Sequence, residues 1–276
     1  MPPNIDAGTS AIAHHIVDGA VTFAYAIDAH HAVSRFPQEW SFTPWRAVDV
    51  DMTPLVVIVG ADKGGVGKTT VSRTLMDYFK AQSADYRAFD TEAPAGVLKR
   101  FHPDRTTVVD LTRSDDQMSV FDTLKDAQIT LVDVRAGLLS PTLKTLAEIG
   151  FLDGIMEGRL KIIVLHILGS TQASFDEIKA TAELVEGSKH YLVINRANDA
   201  SFMGLSADMK KAGDGVIDIP KLNELAAEYV DTAGVSFDRF ISDESQSAVM
   251  RGYVKSWLGR VFAQFDAAKL NPVPAS

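Results

Sequence analysis

The chain has 276 residues, 46% of them hydrophobic and 23% charged, with no cysteine and a formal net charge of −9. Such a composition belongs to a soluble globular protein large enough for one α/β domain with an appendage. Without cysteine, disulfides, iron–sulfur ligation and thiolate zinc sites are excluded. The acidic balance opposes indiscriminate binding to DNA, although screening beyond about 8 Å leaves room for a local basic patch. No apolar run reaches the roughly 20 residues of a membrane span, so a membrane role is not expected. No Lys or Arg precedes Arg35, which does not fit a secretory signal, and the cytoplasm is the expected compartment.

In chain order, the first 51 residues differ from the rest. Val21, Phe23, Tyr25 and Ile27 alternate like a half-buried strand, and Phe36-Pro37 and Thr43-Pro44-Trp45 punctuate the residues after it. The pairs His14-His15 and His30-His31 bring metal to mind, but adjacent histidines on an extended segment point to opposite faces.

Leu55-Val56-Val57-Ile58-Val59 then reads as a buried strand, followed by Lys63-Gly64-Gly65-Val66-Gly67-Lys68-Thr69-Thr70 and a helical pattern at Val71, Leu75, Met76, Tyr78 and Phe79. A strand, a glycine-rich turn and a helix N-terminus make a phosphate cradle. Gly64, Gly65 and Gly67 let several N–H groups converge on one anion, with Val66 and Thr70 completing the loop. Lys68 is expected to reach the β- and γ-phosphates, and Thr69 to hold Mg²⁺ through its hydroxyl. The general pattern wants Gly where Asp62 stands, and the next residue, Lys63, is a second lysine that a nucleotide bound within one subunit does not need.

Short strands are predicted at 87–90, 106–111, 129–134, 161–167, 191–195 and 216–220, with Pro220 closing the last. Helices are predicted at 174–185 and from the Ser140-Pro141 pair, read as N-cap and N1, to about Ile149. Alternating β and α with continuous apolar strands argues an α/β, three-layer fold with a mostly parallel central sheet and helices on both faces. Ligands of such sheets sit at the carboxyl ends of the strands. Asp133 ends one strand where a carboxylate holds Mg²⁺ through water. Asp90 ends another and is assigned to the catalytic and metal-holding set, with Glu92 two residues on. Guanine readers carry N-K-x-D. Here Asn195-Arg196-Ala197-Asn198-Asp199 places the acid one position late, which favours adenine, with Asn195 as base contact and Arg196 flanking it. His166, at a strand end, reads as packed or hydrogen-bonded rather than catalytic. Met250, Tyr253, Val254, Trp257, Leu258, Val261, Phe262 and Phe265 have helical spacing, read first as a helix packed on the sheet and otherwise as a partner or membrane surface.

The K-G-G-V-G-K-T-T string resembles the deviant P-loop of the ParA/MinD ATPases, and the resemblance runs from Leu55 to about Pro220. It implies that Lys63 acts across a dimer interface on the partner's phosphates while Lys68 acts in cis, so that ATP favours a homodimer and ADP the monomer. Each trans contact at 4 Å and an effective dielectric near 20 is worth about 4 kcal/mol before desolvation. In relatives the second-strand end reads D-x-D, and its second carboxylate orients the attacking water. Glu92 is one methylene longer, and a shift near 1 Å costs on the order of 100-fold, so hydrolysis to ADP and phosphate is expected to be slow and partner-stimulated. Val134-Arg135-Ala136-Gly137 occupies the switch II place, and Pro220 matches an I-P element beside the base. Relatives begin just before the P-loop strand, so residues 1–51 read either as a true extension or as the product of a start site chosen too far upstream, with the ATPase domain at 52–276. Phe89-Asp90-Thr91-Glu92, Val109-Asp110-Leu111 with Phe121-Asp122-Thr123-Leu124, and Val164-Leu165-His166-Ile167 with Gln172 look like the TraL-type conjugal-transfer branch.

Three functions are compatible with these features. The leading one is an ATPase switch that positions or recruits a cargo, in plasmid partition, conjugal transfer or cellular positioning, with an activating partner that the sequence does not name. The alternatives are an ATP-dependent carboxylate-activating synthetase of the dethiobiotin type, which needs a substrate pocket opposite the γ-phosphate, and a nucleotide-binding scaffold with negligible hydrolysis.

Overall fold

The structure is a computed structural model that describes residues 10–17, 20–28, 41–44, 53–197 and 201–270. The paired His30 and His31, the boundary residue Met52, and Asn198 and Asp199 of the base-reading stretch lie outside the described residues. The chain divides into two compact units, Met1–Met52 and Thr53–Ser276.

In the first unit, β1 (Ser10–Val17) pairs antiparallel with β2 (Ala20–Asp28) and with β3 (Ser41–Pro44), giving a three-stranded sheet in the order β2-β1-β3. The alternation of Val21, Phe23, Tyr25 and Ile27 falls on β2 as expected. Thr43-Pro44 is not a simple interruption of the chain. It ends β3, a place that tolerates proline because few ladder donors are lost there.

The second unit begins with β4 (Leu55–Gly60), α1 (Lys68–Ala81), β5 (Tyr86–Asp90), α2 (Val97–Phe101), β6 (Thr106–Val108) and α3 (Ser114–Phe121). It continues with β7 (Ile129–Asp133), α4 (Leu139–Glu148), α5 (Asp153–Met156), β8 (Lys161–Ile167), α6 (Gln172–Leu184) and β9 (Lys189–Asn195). It ends with α7 (Ala207–Lys210), β10 (Gly215–Ile219), α8 (Glu224–Ala233), α9 (Phe237–Ser242) and α10 (Ala248–Ala267). All seven strands β4–β10 are parallel, in the order β10-β9-β8-β4-β7-β5-β6. The sheet is therefore wholly parallel, and β4, which feeds the phosphate loop, is central.

Strand residues alternate between two apolar layers. Val57, Val59, Leu131, Leu165 and Val193 pack with α1, α8, α9 and α10, whereas Val56, Ile58, Val132 and Val164 pack with Leu139, Leu143 and Leu146 of α4. Leu192 and Ile194 meet Phe175 and Ile178 of α6. Burial on both faces is why these strands read as unbroken apolar runs. The C-terminal helix is part of the first layer: Val254, Trp257, Val261 and Phe265 are buried, and Trp257 Nε1 donates to the Pro220 carbonyl at 2.6 Å.

β6 is shorter than the predicted 106–111 strand. Val109 N–H donates to the Asp90 carbonyl, but Asp110 then turns the chain by accepting from Thr112. The Ser140-Pro141 reading is also corrected. α4 starts at Leu139 after Leu138, and Ser140 lies inside its first turn. Ser140 is not the cap; its N–H and hydroxyl both donate to the Asp62 carboxylate, at 3.2 Å each.

Asp77, on the buried side of α1, fastens α9: its Oδ2 accepts from Phe237 N–H at 2.9 Å and Asp238 N–H at 3.3 Å, while Oδ1 is buried without a partner. Burial pushes this carboxyl up to about 7, against those backbone donors and the nearby Arg73 guanidinium. Between the unfolded value near 4 and the folded value, the native chain holds a proton that the unfolded chain has released. Stability therefore falls as pH rises through that window and levels off above it. Asp77→Asn keeps an acceptor for Phe237 and has no proton to lose. Urea unfolding from pH 4 to pH 8 is expected to show a fall smaller than wild type by on the order of 2–4 kcal/mol.

Candidate functional site

The site lies at the carboxyl ends of β4, β5, β7, β8 and β9. The loop after β4 turns at Gly65 and Gly67, both at positive φ, and Gly67 caps α1 at φ 79°. A Cβ at Gly67 would stand 2.0 Å from Asn195 Nδ2, so both the backbone conformation and the close approach require glycine. No side chain caps α1 and its first turn carries no acid. The first amides of this 14-residue helix are thus left for an external anion. These features fit the phosphates of a nucleotide.

Lys68 opens α1 and is buried. Its Nζ lies 2.6 Å from Asp133 Oδ1, with side-chain exposures of 7% and 1%. Burial pushes the Asp133 carboxyl up to about 6, Lys68 pulls it down, and Asp90 raises it further. Asp90 and Asp133 are register partners on β5 and β7. Both Asp90 oxygens are engaged by backbone: Oδ1 accepts from Glu92 N–H at 2.9 Å, and Oδ2 from Leu98 N–H at 2.7 Å and Lys99 N–H at 3.4 Å. Asp90 therefore shapes the loop that carries Glu92 and starts α2, with one N–H on Oδ1 and two on Oδ2. Glu92 and Thr69 are half-buried on this edge.

The loop after β7 is tied to its neighbours. Arg135 N–H donates to Thr91 Oγ1 at 2.7 Å, and Gly137 N–H, at φ 82°, donates to the Ala61 carbonyl at 2.9 Å.

Asn195, predicted as a base contact, donates through Nδ2 to the Val66 and Gly67 carbonyls at 3.2 and 3.1 Å, pinning the phosphate loop itself. Arg196 makes a two-pronged ion pair with Asp218, 2.7 Å on each arm, at the exposed end of β9. Pro220 follows β10, beside Arg196, whose N–H donates to the Ile219 carbonyl. Lys63 donates from Nζ to Thr171 Oγ1 at 2.7 Å, just before α6.

A second cluster lies beside the predicted site residues. Asp62, His166 of β8 and Glu177 of α6 bring donor atoms within 4.8 Å of one another. Burial raises the Glu177 carboxyl to about 7, helped by its hydrogen bond and repulsion with Asp62. Burial lowers both His166 and His190 to about 4, and the two rings stack at 5.7 Å. The one signal in the sequence is Asp62, an acid where the loop pattern wants glycine. Glu177 sits in an ordinary helical stretch that gives none.

A cavity of about 500 Å³ opens between these strand ends and α4, lined by Thr91, Asp110, Thr112, Gln117, Arg135 and Thr142 among others.

No family model matches the chain, and no curated protein matches it. Among solved structures it is similar to MinD from Aquifex aeolicus, with 15% identity over 75% of this chain and 97% of that one and a TM-score of 0.45. It is also similar to a putative plasmid partition protein from Borrelia burgdorferi bound to AMPPNP, with 10% identity over 76% and 99% and a TM-score of 0.45. A nucleotide-binding protein from Archaeoglobus fulgidus in complex with ADP matches at 13% identity over 67% and 88%, again with a TM-score of 0.45. By its own sheet order, its loop between β4 and α1 and its strand-end carboxylates, the second unit has the three-layer α/β fold of P-loop proteins, with a loop sequence that resembles the ParA/MinD pattern.

Proposed function

We propose that this protein is an ATP-binding, slowly hydrolysing dimerisation switch that positions or recruits a cargo. The observation that carries the reading is the different setting of its two loop lysines. Lys68 is buried against Asp133 at the head of α1, where it serves its own subunit's phosphates. Lys63, with its ammonium exposed, donates to the Thr171 hydroxyl rather than to Asp133, which leaves it available to a second copy. Thr69 and Asp133 would hold Mg²⁺, and Glu92 would orient the attacking water. Asp90 acts as a positioning residue. A cargo or activating protein completes the cycle.

The cavity beside Arg135 favours a second reading, a carboxylate-activating synthetase, because it offers a cation and hydroxyls to an acidic substrate next to the phosphate site. Sedimentation separates the two. A switch doubles its mass with a non-hydrolysable ATP analogue and Mg²⁺ but not with ADP or without nucleotide. A mass that ignores the nucleotide removes the switch and leaves the synthetase.

A further inference from the structure

We propose that Asp62, His166 and Glu177 bind one divalent transition-metal ion of the zinc class, beside the phosphate loop and separate from the magnesium that accompanies a nucleotide. The three donors come from the loop after β4, the end of β8 and the early turns of α6, and their ligand atoms lie within 4.8 Å of one another. One imidazole and two carboxylates are donors that zinc takes, with a fourth position left for water. Magnesium and calcium prefer all-oxygen sites and gain little from the imidazole.

An independent observation points the same way. His166 is fully buried, neither of its ring nitrogens has a hydrogen-bond partner among the described residues, and Nε2 lies 3.7 Å from Asp62 Oδ2. Buried polar atoms nearly always find a partner, so an imidazole directed at two carboxyls without one points to a ligand that is neither side chain nor backbone. Glu177, whose carboxyl shares a hydrogen bond with Asp62, likewise has Oε2 buried and without a partner among the described residues. A cation between the three groups gives one His166 nitrogen and Glu177 Oε2 a partner and relieves the repulsion between the two carboxyls.

The geometry needs little adjustment. Donors bound tetrahedrally at about 2.1 Å lie about 3.4 Å apart, close to the existing His166–Asp62 separation of 3.7 Å. Glu177, half-buried on a long side chain, supplies the remaining movement. Ser140 already holds the Asp62 carboxylate through its N–H and hydroxyl, the kind of outer support that metal ligands receive. The ion would fasten the phosphate loop to α6, on the side where Lys63 meets Thr171.

The test uses untagged full-length protein, stripped with a chelator and kept free of nucleotide and magnesium. It is titrated with Zn²⁺ by calorimetry and with Co²⁺ by visible absorption. One ion per chain is expected, with the absorption of a four- or five-coordinate Co²⁺ site. Glu177→Gln, at a half-buried position, is expected to weaken binding at least about 10-fold, and His166→Asn to remove it. Failure of wild type to take up a stoichiometric ion overturns the proposal. So does wild-type affinity in Glu177→Gln, because the ion then resides elsewhere. Should His166→Asn not fold, Glu177→Gln decides alone. Neither result depends on whether ATP drives pairing.

Discussion

Lys68→Ala is expected to abolish nucleotide binding and to destabilise the folded chain by about 3–5 kcal/mol at neutral pH. The second effect comes from what the lysine leaves behind. Its ammonium is 2.6 Å from an Asp133 oxygen that is almost wholly buried, and Asp90 stands on the neighbouring strand. Removing the ammonium strands a carboxylate among apolar strands with a second acid nearby, the arrangement in which breaking a buried pair costs most. That carboxyl already lies above its ordinary range because of burial, and without Lys68 it rises further and takes a proton. A folded-state value above the unfolded one means that the native chain binds the extra proton in the interval between them. The variant therefore regains stability as pH falls through that interval and loses it as pH rises. Urea unfolding of wild type and Lys68→Ala at pH 5 and pH 8 tests this: the gap between them is expected to be wider at pH 8. Adding Asp133→Asn to Lys68→Ala is expected to recover much of the stability and none of the nucleotide binding. A variant as stable as wild type at pH 8 would mean that the pair is not formed in the folded chain.

The parts of this site that are legible in the sequence are those fixed by local rules. A strand, a glycine turn and a helix start are contiguous, so Gly67, Lys68 and Thr69 can be placed from order alone. Asp90 and Asp133 are legible because each ends a predicted strand, and parallel strands bring such ends side by side. The rest depends on contacts between distant residues. Ser140 looks like a cap because serine before proline is a local signal, yet its hydrogen bonds go to Asp62, 78 positions earlier. Asn195 reads as a base contact by its place at a strand end, whereas its amide reaches carbonyls of the phosphate loop, 128 and 129 positions away. Glu177 gives no warning, since an acid in an amphipathic helix is ordinarily a solvated one. The C-terminal helix is legible because Trp257, Val261 and Phe265 recur on one face, and that face is buried.

Lys63→Ala tests the pairing of protomers by itself. Among the described residues Lys63 makes one hydrogen bond, from its ammonium to Thr171, in an exposed setting, so its removal is expected to leave the unfolding transition within about 0.5 kcal/mol of wild type. Nucleotide affinity of the monomer is expected to hold, because Lys68 and the α1 amides remain in place. Pairing should not survive. Two triphosphates facing each other place several negative charges in a partly dehydrated gap, where each lysine contact is worth about 4 kcal/mol before desolvation at an effective dielectric near 20. If about half of that remains after desolvation at each of two symmetric contacts, the dimer weakens by at least about 100-fold, since 1.4 kcal/mol is a factor of ten. Sedimentation with a non-hydrolysable analogue and Mg²⁺ would show wild type as a dimer and Lys63→Ala as a monomer carrying nucleotide, a difference that should shrink as salt screens the contact. Lys63→Arg, with a wider and more rigid head group, is not expected to restore wild-type pairing. Should Lys63→Ala pair as wild type does, the second lysine has no role between subunits. Should it lose nucleotide instead, Lys63 serves its own phosphates, and the division of labour between the two lysines is wrong.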